Sequence, residues 1–154
     1  MKKQIAIVLT AVVLSVSPVL ADPVSDLISD HNMNRMLAGA GEITGQPDIK
    51  DGRYVYHLQN VDIVVSANDE KINSFSCVCL NDSGVGEFLA QCATAFYDIG
   101  GTDAFIRCYD PLLSEFLAAR AGLETGSNKS VPGVLFEVSK LKNGRYIFIV
   151  VKVE

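Results

Sequence analysis

The sequence predicts an α+β fold: an antiparallel sheet with helices mainly on one face. Three observations lead there. Between residues 53 and 80, apolar and polar residues alternate in runs separated by short polar turns, the pattern of hairpin-linked strands. Val85, Phe88, Leu89, Cys92, Phe96 and Ile99 then fall on one stripe of a 3.6-residue period. The chain closes with two apolar runs flanking Asn143-Gly144, a strong short-range hairpin signal. Strands, then helices, then a hairpin is an order that suits an antiparallel sheet covered on one side.

The first 21 residues are set apart. Lys2 and Lys3 precede an apolar run, Ile5 to Val16, interrupted only by Thr10 and Ser15, and Val19 and Ala21 suit a cleavage site before Asp22. This is the pattern of a cleaved signal peptide. The run is short of the roughly 20 residues a membrane span needs, so no stable membrane anchor is expected after cleavage. The short Met-Lys-Lys start has a bacterial look, so the expected destination is the periplasm or the outside. Residues 22–154 then form a single domain. The signal carries two of the 13 basic residues and none of the 18 acidic ones, so the remainder is more acidic than the full chain's −5. That balance excludes nucleic acid and anionic lipid as expected partners, because both require clustered Lys and Arg.

Asp22-Pro23 reads as a helix start, with Asp as cap and Pro at the first helical position. Val24, Leu27, Ile28 and His31 share one face, and Gly39 and Gly41 end the helix. Asp51-Gly52, flanked by possible strands, predicts a two-residue type I′ hairpin. Strands at Arg53–Gln59, Val61–Ala67 and Ile72–Leu80 follow as a meander of three or four, turning at Asn68-Asp69-Glu70. Gly100-Gly101 stops the helix that begins near Val85. Asp103–Tyr109 is expected to be a short helical or irregular piece, and Asp110-Pro111 to open a second helix ending at Gly122. Gly126–Ser130 reads as a loop.

In the closing hairpin, a two-residue turn pairs Lys142 with Arg145. Val134, Phe136 and Val138 then oppose Val153, Val151 and Ile149 on the core face. Leu135, Leu141, Tyr146, Phe148 and Val150 fall on the other face, too apolar to stand alone in water, and are expected to be a partner surface. Ile49–Tyr56 and Leu141–Phe148 match in residue type at every position, which supports two hairpins.

All four cysteines lie between Phe75 and Cys108. In a small exported domain they read as disulfide candidates: Cys77 and Cys79 on one strand face, bridged to Cys92 and Cys108 on the helices above. Zinc is not expected, because only Cys77-Val78-Cys79 is closely spaced, and no Cys-x-x-Cys supports redox chemistry. Ser83-Gly84-Val85-Gly86 lacks the third glycine of a dinucleotide loop, and Glu87 would repel a phosphate. His31 and His57 belong to no catalytic motif, and the expectation for them is one surface histidine and one on a sheet face. No catalytic residue, cofactor or metal is therefore expected. The composite expectation is a non-enzymatic exported protein that binds another protein, or itself as a homodimer: an inhibitor, an immunity factor or an assembly chaperone. The alternatives are a small hydrolase whose site assembles in space, and a homodimeric carrier of a small apolar ligand.

Overall fold

The computed structural model describes residues 24–37, 42–68 and 71–153. The expected signal peptide, and the helix start, helix stop and turn expected at Asp22-Pro23, Gly39–Gly41 and Asp69-Glu70, fall outside the described residues. Helix α1 (Ser25–Leu37) is followed by strands β1 (Asp48–Lys50), β2 (Arg53–His57), β3 (Val61–Asn68) and β4 (Lys71–Cys79). Helix α2 (Val85–Arg120) comes next, then β5 (Asn128–Val131), β6 (Val134–Lys140) and β7 (Tyr146–Lys152). The strands form one antiparallel sheet of seven in the order β1-β2-β3-β4-β7-β6-β5, an α+β architecture as the alternation predicts. The expected loop at Gly126–Ser130 instead contributes β5 on one edge.

One face of the sheet carries the core. Val61, Ile63 and Val65 of β3, Phe75, Cys77 and Cys79 of β4, Tyr146, Phe148 and Val150 of β7, and Val134, Phe136 and Val138 of β6 are all buried there. Phe96 of α2 sits edge-on against Phe136 and Phe148, with ring centroids 5.1 and 5.6 Å away, an arrangement aromatic quadrupoles favour.

Where the sequence predicts two helices with a short helical or irregular piece between them, the chain forms a single helical run folded back at Gly101. That residue stands at φ 70° and ψ −166°, a conformation open to glycine and strained for any residue with a Cβ. Were α2 straight, Phe88 and Phe116 would lie about 42 Å apart; their rings are 6.1 Å apart. Tyr97 stacks on Phe105 across the same bend, at 4.2 Å. The reversal brings Gly100 hard against the sheet: a Cβ there would lie 2.8 Å from Val134. Pro111 sits inside the second arm and does not open a new helix. The buried stripe of that arm, Ala104, Cys108, Leu112, Phe116 and Ala119, carries straight through it.

Two turns decide the register of the sheet. At Asp51-Gly52 both residues have positive φ (51° and 73°) and Lys50 pairs with Arg53, the expected type I′ turn. At Asn143-Gly144 the expectation fails. Gly144 N–H donates to Leu141 O (2.9 Å), Leu141 N–H donates to Arg145 O (2.7 Å), and the first paired residues are Lys140 and Tyr146. Only Gly144 has positive φ, at 83°, so this is a longer loop closed by a glycine bulge. The extra residue slips the register by one and exchanges the faces of β7 relative to β6.

Candidate functional site

The slip corrects the expected partner surface. Tyr146, Phe148 and Val150 are core residues, at 7%, 0% and 0% exposure. The physical reason is volume: the bulge lets Phe136 and Phe148 enter the core together, whereas a two-residue turn would bury one and expose the other. Leu141 lies exposed in the turn, and Leu135 remains outward and half-buried.

What faces outward is a different apolar patch. Across the sheet, Val55, Val64, Ser76, Ile149 and Glu137 stand side by side in one row, and Asp62, Val78, Ile147 and Ser139 in the next. Val151 and Leu135 begin a third. Ile149 is 41% exposed and its apolar neighbours are half-buried. Short serine side chains between them leave the branched residues standing proud. Both helices contact the opposite, core face, so among the described residues this face has no covering layer.

At the rim of that face stands His57, 59% exposed. Its Nδ1 meets Asp62 Oδ1 at 2.7 Å and its Nε2 lies 3.5 Å from Asp48 Oδ2. The hydrogen bond and charge of Asp62, with a smaller contribution from Asp48, raise its pKa above 6.5. Two carboxylates hold the ring, but it stands on an open strand.

The cysteines do not form the expected staples. All four are buried and free. The helix phase does bring Cys92 onto Cys77, but as hydrogen-bonded thiols. Burial, and then that hydrogen bond, push Cys92 well above its ordinary value. Burial lifts Cys79 as well, against a hydrogen bond from its thiol to Asn81 O at 3.1 Å. Burial raises Cys108 to about 11. Thiols held protonated in this way are packing residues, not nucleophiles. Among the described residues no cluster of three or more His, Cys, Asp or Glu side chains could hold a metal ion. Ser83 and Gly84 close a short turn whose Gly84 N–H is already taken by the Asn81 side chain at 3.0 Å, and Val85 and Gly86 begin α2.

One feature was not expected. His31 is fully buried, and so is Arg35 one turn further along α1. His31 Nδ1 is hydrogen-bonded to Asp98, its Nε2 lies 3.0 Å from Gln91 Oε1, and its ring packs 5.1 Å from Phe75. The Asp98 carboxylate accepts from the Nδ1 side of the ring. Arg35 is less well served. Its Nη2 stands 3.7 Å from Glu87 Oε1, beyond hydrogen-bond reach, and among the described residues Nε, Nη1 and Nη2 have no acceptor; Gln91 Nε2 has none there either. Desolvation lowers the Arg35 pKa, against the pull of Glu87, Cys77 and Glu42. Each such donor costs about 1–3 kcal/mol, comparable to the roughly 1.5–3 kcal/mol that each of the buried Val24 and Ile28 contributes. Sequence reasoning placed His31 on the surface. Its place on the Val24–Ile28 stripe was the signal that it goes inside, and Arg35 continues that stripe at i+4.

A concave feature lies between the two arms of α2. It is an apolar cleft of about 310 Å³ with Leu89 and Ala93 on one wall and Phe105, Tyr109 and Leu113 on the other. Among the described residues no helix is long and apolar enough to cross a membrane.

Comparison with protein-family models, with curated proteins and with solved structures finds no match to this chain in any of the three.

Proposed function

We propose that this chain is a small exported, non-enzymatic protein that binds another protein through the open face of its sheet, as an inhibitor, an immunity factor or an assembly chaperone does. The observation behind this reading is the outward patch centred on Ile149, a branched apolar surface on a rigid sheet with charged residues at its rim. Rigid, apolar and uncovered is the combination that protein interfaces use at their centres. The buried protonated thiols and the exposed His57 on an open strand weigh against the hydrolase alternative. The experiment is Ile149→Asp. The variant should melt within about 0.5 kcal/mol of the wild type, since the site is a surface one. Affinity capture from an extract of the source cells should give a stoichiometric partner with the wild type and none with the variant. Equal recovery by both would remove this face from the reading.

A second reading, a carrier of a small apolar ligand, draws on the 310 Å³ cleft in α2. Filling it with Ala93→Phe separates the two readings, because only ligand carriage would be lost.

A further inference from the structure

We propose that α1 is a releasable strap: it docks on α2 and on Phe75 in the resting protein, and opens as a unit while the sheet and α2 stay folded. The contacts of α1 divide in two. Val24 and Ile28 at its beginning are buried and apolar, while His31 and Arg35 further along are buried and polar. The polar half runs antiparallel to α2, with His31 between Gln91 and Asp98 and Arg35 beside Glu87. Three guanidinium nitrogens and one amide nitrogen in this contact have no protein acceptor among the described residues. Water would satisfy all four. Undocking therefore restores hydrogen bonds that docking withholds, and this holds for no other described contact between elements, since these four are the only buried side-chain nitrogens or oxygens without a partner among the described residues.

The strap has a defined far end. Asn32 accepts from Ile43 N–H (2.7 Å) and donates to Ile43 O (2.8 Å), clipping residue 43 to the helix. Helix and clip would leave together. A buried, unsatisfied arginine is poor cement, and it places α1 at the low-stability end of the molecule, from which moving elements are drawn. The inference does not depend on the open sheet face, which lies on the other side of the sheet.

The test is native-state hydrogen exchange on the purified full chain, with two variants of opposite sign. In the wild type, amides of residues 29–37 should exchange at least tenfold faster than those of residues 88–99, with little dependence on denaturant. Arg35→Met keeps the stem and removes the unsatisfied donors, so protection in residues 29–37 should rise at least tenfold with residues 88–99 unchanged. Asn32→Ala removes the clip and should lower protection in residues 29–37 alone. The strap is overturned if the two helices exchange together in the wild type. It is equally overturned if Arg35→Met lowers the protection of α1 or fails to fold, because the guanidinium would then be holding the helix down.

Discussion

Ile49–Tyr56 and Leu141–Phe148 are matched residue for residue in type, and both contain a turn signal that favours a two-residue hairpin, yet only the first forms one. The first takes the Asp51-Gly52 turn its sequence dictates; the second inserts a bulge and shifts β6 against β7 by one residue. The difference lies in what hangs from each turn. β1 is three residues long and exposed throughout, so no burial opposes the local preference of the turn. β6 carries Val134, Phe136 and Val138, and β7 carries Tyr146, Phe148 and Val150; their six side chains share one buried face only if the register slips. Burying Phe148 alone is worth about 1.5–3 kcal/mol, more than turn types differ by. Turn chemistry chooses the register of an edge hairpin, and the core chooses that of a central one.

Substitutions at corresponding places should expose this asymmetry. Phe148→Asp places a charge in the core and should unfold the protein outright, whereas Ile49→Asp, at a 70% exposed position, should move stability by less than about 0.5 kcal/mol; urea denaturation followed by circular dichroism measures both. Deleting Lys142 leaves Asn143-Gly144 as a two-residue turn between Leu141 and Arg145, which keeps the buried register, so it should cost less than about 1 kcal/mol, as should one Gly inserted after Asp51. A loss above about 3 kcal/mol on deleting Lys142 would mean that the bulge itself, and not the core, sets the register of β6 and β7. Gly144→Ala and Gly52→Ala each place a Cβ at positive φ and should cost a similar amount, about 1–2 kcal/mol, whatever the register. The smallest effect belongs to His57 at the end of β2. Its pKa is raised in the folded state, so the stability it adds is complete below the unfolded value near 6.5 and is lost as pH rises through the folded value. Its exposure limits the effect to under about 0.5 kcal/mol between pH 6 and 8. His57→Asn should flatten that slope, and the ring's own NMR titration should have its midpoint above 6.5.

What was legible in the sequence follows the same division. The type of most elements, antiparallel pairing, the stripe on α2 and the break at Gly100-Gly101 were readable, because periodicity and glycine report local geometry; β5, in a polar stretch, and the continuity of α2 through Pro111 were not. The faces of β7 were not, because they depend on how Phe96, Phe136 and Phe148 meet. The composition did hold a clue: Val-Phe-Val and Tyr-Phe-Val, each in alternate positions, are the more apolar pair of faces and only a slipped register combines them. The cysteine segment was half-read. Helix phase correctly brought Cys92 above Cys77, but the pairing of four cysteines into two bridges rested on an expected compartment, and the thiols are free. For the candidate binding face, the expectation of a greasy outward side on the last hairpin survives in a changed set, with Ile147, Ile149 and Val151 in place of Tyr146, Phe148 and Val150. The buried Arg35 was invisible, since a lone arginine on a helix is ordinarily solvated.

The sheet order also bears on assembly. Strands β1 to β4 pair with sequence neighbours, and so do β5 to β7; the two blocks meet only where β4 lies beside β7, joining Phe75 to Val150. Each block can close through short loops, but the junction must wait for a long stretch of chain, including the folded-back α2, to be organised. Until then the inward edge of β4 is an unpaired template that accepts a β7 from any copy of the chain. At high concentration during refolding, exchange of the C-terminal block between two molecules is the misassembly this topology invites.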